Sequence, residues 1–95
     1  MSYIYAGTTV DNAVADDYGQ GVPLIKKGDF KRVCGRYFDQ SRDVMLAMNA
    51  DYSAQPKLHG LHTYYSPASG TIWARFEGVS VGVPVRLNWL IVLGA

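Results

Sequence analysis

The last stretch of the chain constrains the fold most. Residues 85–93 read Val-Arg-Leu-Asn-Trp-Leu-Ile-Val-Leu, and every second residue, starting from the first valine, is apolar. A period of two is the repeat of a β-strand, so this stretch predicts a strand that buries one side, including Trp89, in a core. The other side starts with polar residues and becomes apolar at Leu90 and Val92. We therefore expect Leu90 and Val92 to be covered, either by a second layer of this chain or by a neighbouring subunit.

Length and charge restrict the class of protein. The chain has 95 residues, which is the size of one small domain, here residues 1–95. A net charge of +1 gives no electrostatic reason to expect nucleic acid or an anionic membrane as partner. The single cysteine, Cys34, excludes an internal disulfide and is expected to be a half-buried small residue rather than a reactive thiol. The chain shows neither a signal peptide nor an apolar run long enough to span a membrane, so we expect synthesis in a cytoplasm.

The spacing of the apolar stretches predicts an all-β fold. About six to eight short strands alternate with Gly-, Pro- and Ser-containing connections, which is typical of a small antiparallel β-sandwich or barrel. Residues 10–21 are predicted to form a loop with at most one helical turn. The predicted strands are residues 3–9, 22–26, 30–38 with a bulge at Gly35, 43–52, 58–65 with a kink at Gly60, 71–78 and 85–93.

The strand at residues 43–52 has apolar residues on both sides. Val44, Met45 and Met48 are also spaced as on a helix, which is the alternative; the strand is favoured, with one alternate set inward and the other outward. The inward set is Val44, Leu46, Met48, Ala50 and Tyr52, and the outward set is Met45, Ala47, Asn49 and Asp51.

Aromatic and charged residues in the second half suggest a binding surface. Trp73, Arg75 and Glu77 share one side of a predicted strand, next to a strand that carries Tyr64 and Tyr65. A flat apolar ring with charged hydrogen-bonding groups at its edge is what a sugar site requires. The same residue types are enriched at subunit interfaces, and we favour the interface over the sugar site for Trp73.

The sequence contains no catalytic motif, phosphate loop or dinucleotide fingerprint, so we expect a protein that is not an enzyme and has no cofactor. His59 and His62 are the two histidines. In an extended strand their odd spacing predicts opposite faces, and we expect hydrogen-bonded surface residues rather than metal ligands. A metal shared by one His per chain across a threefold axis is a minor alternative.

The second half of the chain, from about residue 43 to residue 94, resembles the H-type lectins and the similar sandwich domains at the tips of bacteriophage tail fibres. The residues that carry the resemblance are in the last strand: Val85, Leu87, Trp89, Ile91 and Gly94. Leu90 and Val92 are bulkier than the small residues of the family pattern. No sugar-contacting residue of the lectins can be placed on this sequence.

The resemblance implies an antiparallel sandwich that assembles as a trimer, with binding at subunit borders. The expected function is a virion structural protein, most simply a receptor- or glycan-binding tail-fibre tip. A capsid or tail decoration protein is the alternative, and a small metal-dependent hydrolase is a remote one. The expected partners are further copies of the chain, other virion proteins and a host-surface glycan.

Overall fold

A computed structural model of the chain describes residues 3–49 and 57–94. These residues form seven strands and one helix. In chain order the elements are β1 (Tyr3–Asn12), β2 (Val14–Asp16), β3 (Gly19–Ile25), α1 (Lys27–Cys34), β4 (Val44–Asn49), β5 (His59–Tyr65), β6 (Ile72–Glu77) and β7 (Pro84–Leu93).

The strands form two antiparallel sheets that pack on each other. Sheet A has the order β1-β7-β4, and sheet B has the order β2-β3-β6-β5. The predicted all-β fold is confirmed, because seven strands in two facing sheets make a small sandwich. The final strand is the central strand of sheet A, paired with β1 on one side and β4 on the other.

The core lies between the sheets and follows the period of two in β7. Val85, Leu87 and Ile91 are completely buried, facing Ala74 and Phe76 of sheet B. Trp89 is on the same side but half-buried, because its indole lies over β1 and its Nε1 donates a hydrogen bond to Thr9 Oγ1 (3.0 Å).

Residues 27–34 form a helix, and the predicted strand at residues 30–38 was wrong. Phe30 and Cys34 are four residues apart, so a helix places both on one face, and both are buried. Gly35 ends the helix in the left-handed conformation (φ 82°), and its N–H donates to the Lys31 carbonyl (2.8 Å). Gly35 is therefore a helix cap and not a bulge. Burial raises the pKa of the Cys34 thiol, as expected for a structural cysteine.

Residues 14–25 form a hairpin, so the predicted loop at residues 10–21 was also wrong. The two-residue turn at Asp17 and Tyr18 joins β2 to β3, with Asp16 paired opposite Gly19. The Asp16 carboxylate accepts a hydrogen bond from the Tyr18 N–H (2.8 Å), and Gly19 supplies the positive φ (119°). The predicted strand at residues 22–26 corresponds to the second part of β3, and Gly19 and Gly21 hid the first part, because glycine weakens a strand pattern.

Strand β4 is present, but its two faces are the reverse of those predicted. Met45 is 4% exposed and lies opposite Ile91, whereas Val44, Leu46 and Met48 point away from the core. Because both faces of this strand are apolar, hydrophobicity alone could not orient it. Ala50, Asp51 and Tyr52 lie outside the described residues.

The hairpin of β5 and β6 agrees with the prediction. Gly60 has a positive φ (63°), and the register shifts between His59 and His62, so the predicted kink is a β-bulge. The turn at residues 66–70 closes with a hydrogen bond from Gly70 N–H to the Ser66 carbonyl (2.7 Å). No helix in the described parts of the chain is long and apolar enough to cross a membrane.

Candidate ligand site on the outer face of sheet B

Most of the predicted binding residues meet on the outer face of sheet B. The register places Tyr64 directly opposite Trp73, and His59 opposite Glu77. Paired residues of antiparallel strands share a face, so these side chains and that of Arg75 lie on the side away from the core. Tyr65 points the other way and packs against Phe38, with 4.8 Å between the ring centroids. The structure therefore brings together Tyr64, Trp73, Arg75 and Glu77, and separates Tyr65 from them.

Arg75 is at the centre of this face. The sequence pattern suggested that its side chain is open to solvent, but it is not. The residue is 4% exposed, and its two Nη atoms donate to the Asp16 carboxylate oxygens (2.8 and 2.9 Å). Nη1 also donates to the Gly19 carbonyl (3.2 Å). The hydrogen bonds from Arg75 and from the Tyr18 N–H lower the pKa of Asp16. Asp16 therefore stays ionised and neutralises the guanidinium.

Three aromatic rings surround the guanidinium. Its central carbon is 4.6 Å from the ring centroid of Trp73, 5.7 Å from that of Tyr64 and 5.9 Å from that of Tyr18. The rings of Tyr18 and Tyr64 stack on each other at 5.6 Å with an angle of 26°. Contacts of a cation with ring faces are attractive and fix ring orientation, so Arg75 holds the aromatic side chains in place.

Gly21 provides the space that Arg75 occupies. A Cβ atom at this position would overlap the Ala74 carbonyl oxygen and would lie 3.2 Å from Arg75 Cδ. Glycine is needed here because the neighbouring strand and the arginine stem approach the backbone closely. Gly21, one of the two glycines that obscured the first part of β3, therefore has a role in the site.

An open cleft of about 250 Å³ lies beside the aromatic rings. Its lining includes Tyr18, Gln20, His62, Arg75 and Glu77. The Gln20 amide is bonded to the backbone of Val79, both to its carbonyl and to its N–H, and so has a structural task. The groups presented to the cleft are the Tyr18 ring, the Glu77 carboxylate and the His62 imidazole.

The imidazole of His62 has one nitrogen occupied. Nδ1 lies 2.9 Å from the Gly60 carbonyl oxygen, and a carbonyl only accepts, so Nδ1 carries the proton. In the neutral ring Nε2 is then an acceptor. Together with the Glu77 carboxylate, it suits the hydroxyl and amine donors of a ligand.

His59 and His62 lie on the same face, so the prediction of opposite faces was wrong. The bulge at Gly60 adds one residue to β5, and the two histidines pair with Glu77 and Arg75, which alternate onto one side. The sequence spacing could not show this, because an added residue reverses the parity of a strand. Among the described residues, no group of three or more His, Cys, Asp or Glu side chains is arranged to hold a metal ion.

Sequence analysis did not identify Asp16 and Tyr18 as parts of this face. The sequence signal for this hairpin turn is the Asp-Asp-Tyr-Gly stretch at residues 16–19. A turn-forming Asp precedes the two turn residues, and a Gly follows them. The hairpin carries both residues across to β6, and only the pairing of β3 with β6 brings Asp16 next to Arg75.

Leu90 and Val92 lie on the other side of the molecule, on the outer face of sheet A. Both are half-buried, and their directly paired neighbours are Ala6 and Leu46 for Leu90, and Ile4 and Val44 for Val92. The outer faces of the two sheets point in opposite directions in a sandwich.

No protein-family model matches the chain, and searches of curated proteins and of solved structures find no match either.

Proposed function

We propose that this protein is a carbohydrate-binding module without enzymatic activity, and that the cleft on sheet B holds one sugar ring. The observation that carries the proposal is Tyr18, a residue that is 72% exposed and whose ring is held next to the cleft by Tyr64 and by the cage around Arg75. Sugar rings bind by stacking their C–H face on an aromatic ring while polar groups take their hydroxyls.

The size of the cleft supports a small ligand. At about 250 Å³ it is smaller than the pockets of about 300–1,000 Å³ that take drug-sized molecules. One ring stacked on Tyr18 would bring its hydroxyls towards Glu77 and His62, two groups of the lining that can accept hydrogen bonds.

The charges of the cleft favour a neutral or amino sugar over an acidic one. Arg75 is buried and paired with Asp16, so its positive charge is already neutralised by the protein. Glu77 is the carboxylate of the lining, and it forms no salt bridge among the described residues. A carboxylate at the edge of the site attracts an ammonium group and repels a uronic or sialic acid.

From the resemblance of the final strand to tail-fibre tips we further propose that this binding activity belongs to a virion, where the glycan would be a receptor on the host surface. The second candidate is a capsid or tail decoration protein. The exposed apolar face of sheet A favours it, because a decoration protein needs a surface for attachment to the particle.

A glycan array tests the proposal. We expect the wild-type chain to bind neutral or amino-sugar glycans, and Tyr18→Ala to weaken binding by about tenfold, the effect of losing one stacking partner. Glu77→Gln should weaken binding to amino sugars more than binding to neutral sugars, because only the ammonium group loses an ionic partner.

Tyr37→Ala is the matched control. Tyr37 is also a partly exposed tyrosine beside cations, with Lys27 Nζ and Lys31 Nζ at 5.0 and 4.9 Å from its ring centroid, but it lies outside the cleft. Its replacement should leave glycan binding unchanged. Absence of binding by the wild-type chain, or equal binding by the Tyr18→Ala variant, would contradict the proposal.

A further inference from the structure

The outer face of sheet A consists of rows of paired side chains. The register of β7 with its two neighbours defines these rows, each taking one residue from β1, one from β7 and one from β4. The first two rows are entirely apolar and the third is mixed: Ile4–Val92–Val44, Ala6–Leu90–Leu46 and Thr8–Asn88–Met48.

These side chains are exposed to an unusual degree for apolar residues on neighbouring strands. The exposed fractions are 66% for Ile4, 48% for Val44, 53% for Leu46 and 64% for Met48. The largest contiguous apolar patch on a folded monomer usually covers about 300–600 Å² and often marks an interaction site.

We infer that the outer face of sheet A is the surface through which the chain associates with a second copy of itself. The first three rows carry no ionisable side chain, and the polar pair in the third row satisfies itself, with Thr8 Oγ1 donating to Asn88 Oδ1 (2.8 Å). A partner therefore has to present an uncharged apolar surface. Within the described residues this face is itself such a surface, and two copies placed face to face match apolar row against apolar row.

Charge at one end of the face limits the register of the contact. Arg86 lies in a fourth row, opposite Val10 and beyond the mixed row. Two copies related by a twofold axis through the apolar rows keep their arginines at opposite ends, so like charges stay apart.

The size of the face indicates a weak association. A rise of about 3.4 Å per residue and a strand spacing of about 4.8 Å give the three rows on three strands roughly 300 Å² in flat projection. A standard interface covers about 800 Å² on each partner. The association should therefore depend on concentration, with a dissociation constant in the micromolar range rather than the nanomolar range.

The position of this face leaves the ligand cleft open. Sheet A and sheet B form the two layers of the sandwich, so contact through sheet A leaves the outer face of sheet B exposed on every copy. The inference does not depend on glycan binding, because the two faces share no residue.

Sedimentation equilibrium of the purified chain, from about 5 to about 500 µM, tests the inference across the expected range. We expect a mass that rises from monomer to dimer, because a face-to-face contact of this kind is complete with two copies. Leu46→Glu and Met48→Glu should each raise the dissociation constant at least about 100-fold, because a carboxylate would be buried without a partner in the contact.

Both positions are more than half exposed in the single chain, so these variants should fold, which circular dichroism and thermal melting can verify. Val81→Glu is the matched control, since Val81 is 62% exposed but lies in the turn before β7 and outside this face. Its dissociation constant should equal that of the wild type. A wild-type monomer at the highest concentration, or unchanged association of a folded Leu46→Glu variant, would overturn the inference.

Discussion

Asp43 is the residue whose hydrogen bonds hold two distant segments of this sandwich together. Its side chain is completely buried and accepts hydrogen bonds from both Nη atoms of Arg36 (2.7 Å each) and from the backbone N–H groups of Asp39 (2.8 Å) and Gly94 (2.9 Å). These bonds connect the segment after α1 to the end of β7. A Cβ on Gly94 would overlap the Arg42 carbonyl oxygen, so only glycine allows this close approach.

The pKa of Asp43 makes this network sensitive to acid. Burial raises the pKa, but the hydrogen bonds from Arg36 and the two N–H groups outweigh it and lower the pKa to about 2, from an ordinary value of 3.8. A lowered pKa in the folded state means stability that is present above the ordinary pKa and is lost as pH falls from about 4 towards 2. From the size of the shift, this contribution is about 2 kcal/mol.

We predict that Asp43→Asn lowers the free energy of unfolding by about 3 kcal/mol at neutral pH, the usual cost of breaking a buried ion pair. The difference from wild type should shrink by about 2 kcal/mol between pH 6 and pH 2, because protonation removes the same charge. Urea unfolding at a series of pH values measures both quantities.

Asp29→Asn provides the comparison for this experiment. Asp29 also pairs with an arginine, Arg32 at 3.2 Å, but both side chains are more than half exposed. Exposed pairs of this kind contribute about 0–1 kcal/mol, so the change in the free energy of unfolding should be small. An Asp43→Asn variant that behaves like Asp29→Asn would show that the buried network does not stabilise the fold.

Arg75 illustrates what a residue's sequence position can and cannot predict. The alternation in β6 gave the correct face, with Trp73, Arg75 and Glu77 together and away from the core. It could not give the burial of Arg75, because the covering groups come from a turn almost sixty residues earlier, where Asp16 and Tyr18 lie.

Among the elements, those with one apolar face were predictable and those without were not. The register of β7 and the β5–β6 hairpin follow from alternation and turn residues. In β4 both faces are apolar, so its orientation depends on the pairing with β7. In α1 the positions of Phe30 and Cys34, with polar residues between them, fit the period of a strand and that of a helix equally. Gly35 indicates a helix cap as much as it indicates a bulge.

Sheet A contains a close packing contact that the apolar pattern does not reveal. Gly7 pairs with Trp89, and a Cβ at position 7 would overlap the indole ring, with Cη2 only 2.6 Å away. The indole is also fixed by the hydrogen bond to Thr9, which itself donates to the Leu24 carbonyl (2.9 Å) of sheet B. Gly7 therefore leaves room for the Trp89 indole, and Thr9 links this indole to sheet B.

We predict that Gly7→Ala lowers the free energy of unfolding by about 1–3 kcal/mol, as overpacking does. The loss should be smaller when Trp89 is first replaced by Leu, which removes the clashing ring, and a double-mutant cycle of thermal or urea unfolding measures the coupling.

Gly28→Ala is the control for this cycle. Gly28 is in α1, and a Cβ there meets no atom within 4 Å. Alanine should be neutral or stabilise the protein by up to about 1 kcal/mol. Equal effects of alanine at positions 7 and 28 would contradict the packing described for Trp89.

At the scale of the whole molecule, the two outer faces of the sandwich differ in chemistry. The outer face of sheet A is uncharged over three rows, two of them entirely apolar, whereas that of sheet B carries the aromatic cage, the Asp16–Arg75 pair and the cleft with Glu77 and His62. Under the two proposals made above, the face of sheet A serves self-association and the face of sheet B meets a ligand.

The central claim is that the cleft on sheet B binds a neutral or amino sugar, and a titration followed by NMR tests it most directly. Glucose, glucosamine and glucuronic acid have the same ring and differ in charge, so each is added separately to the isotope-labelled protein. We predict shifts of the backbone signals of Tyr18, Gly60, His62 and Glu77, largest with glucosamine and smallest with glucuronic acid. Shifts confined to sheet A, or strongest binding of glucuronic acid, would contradict this account.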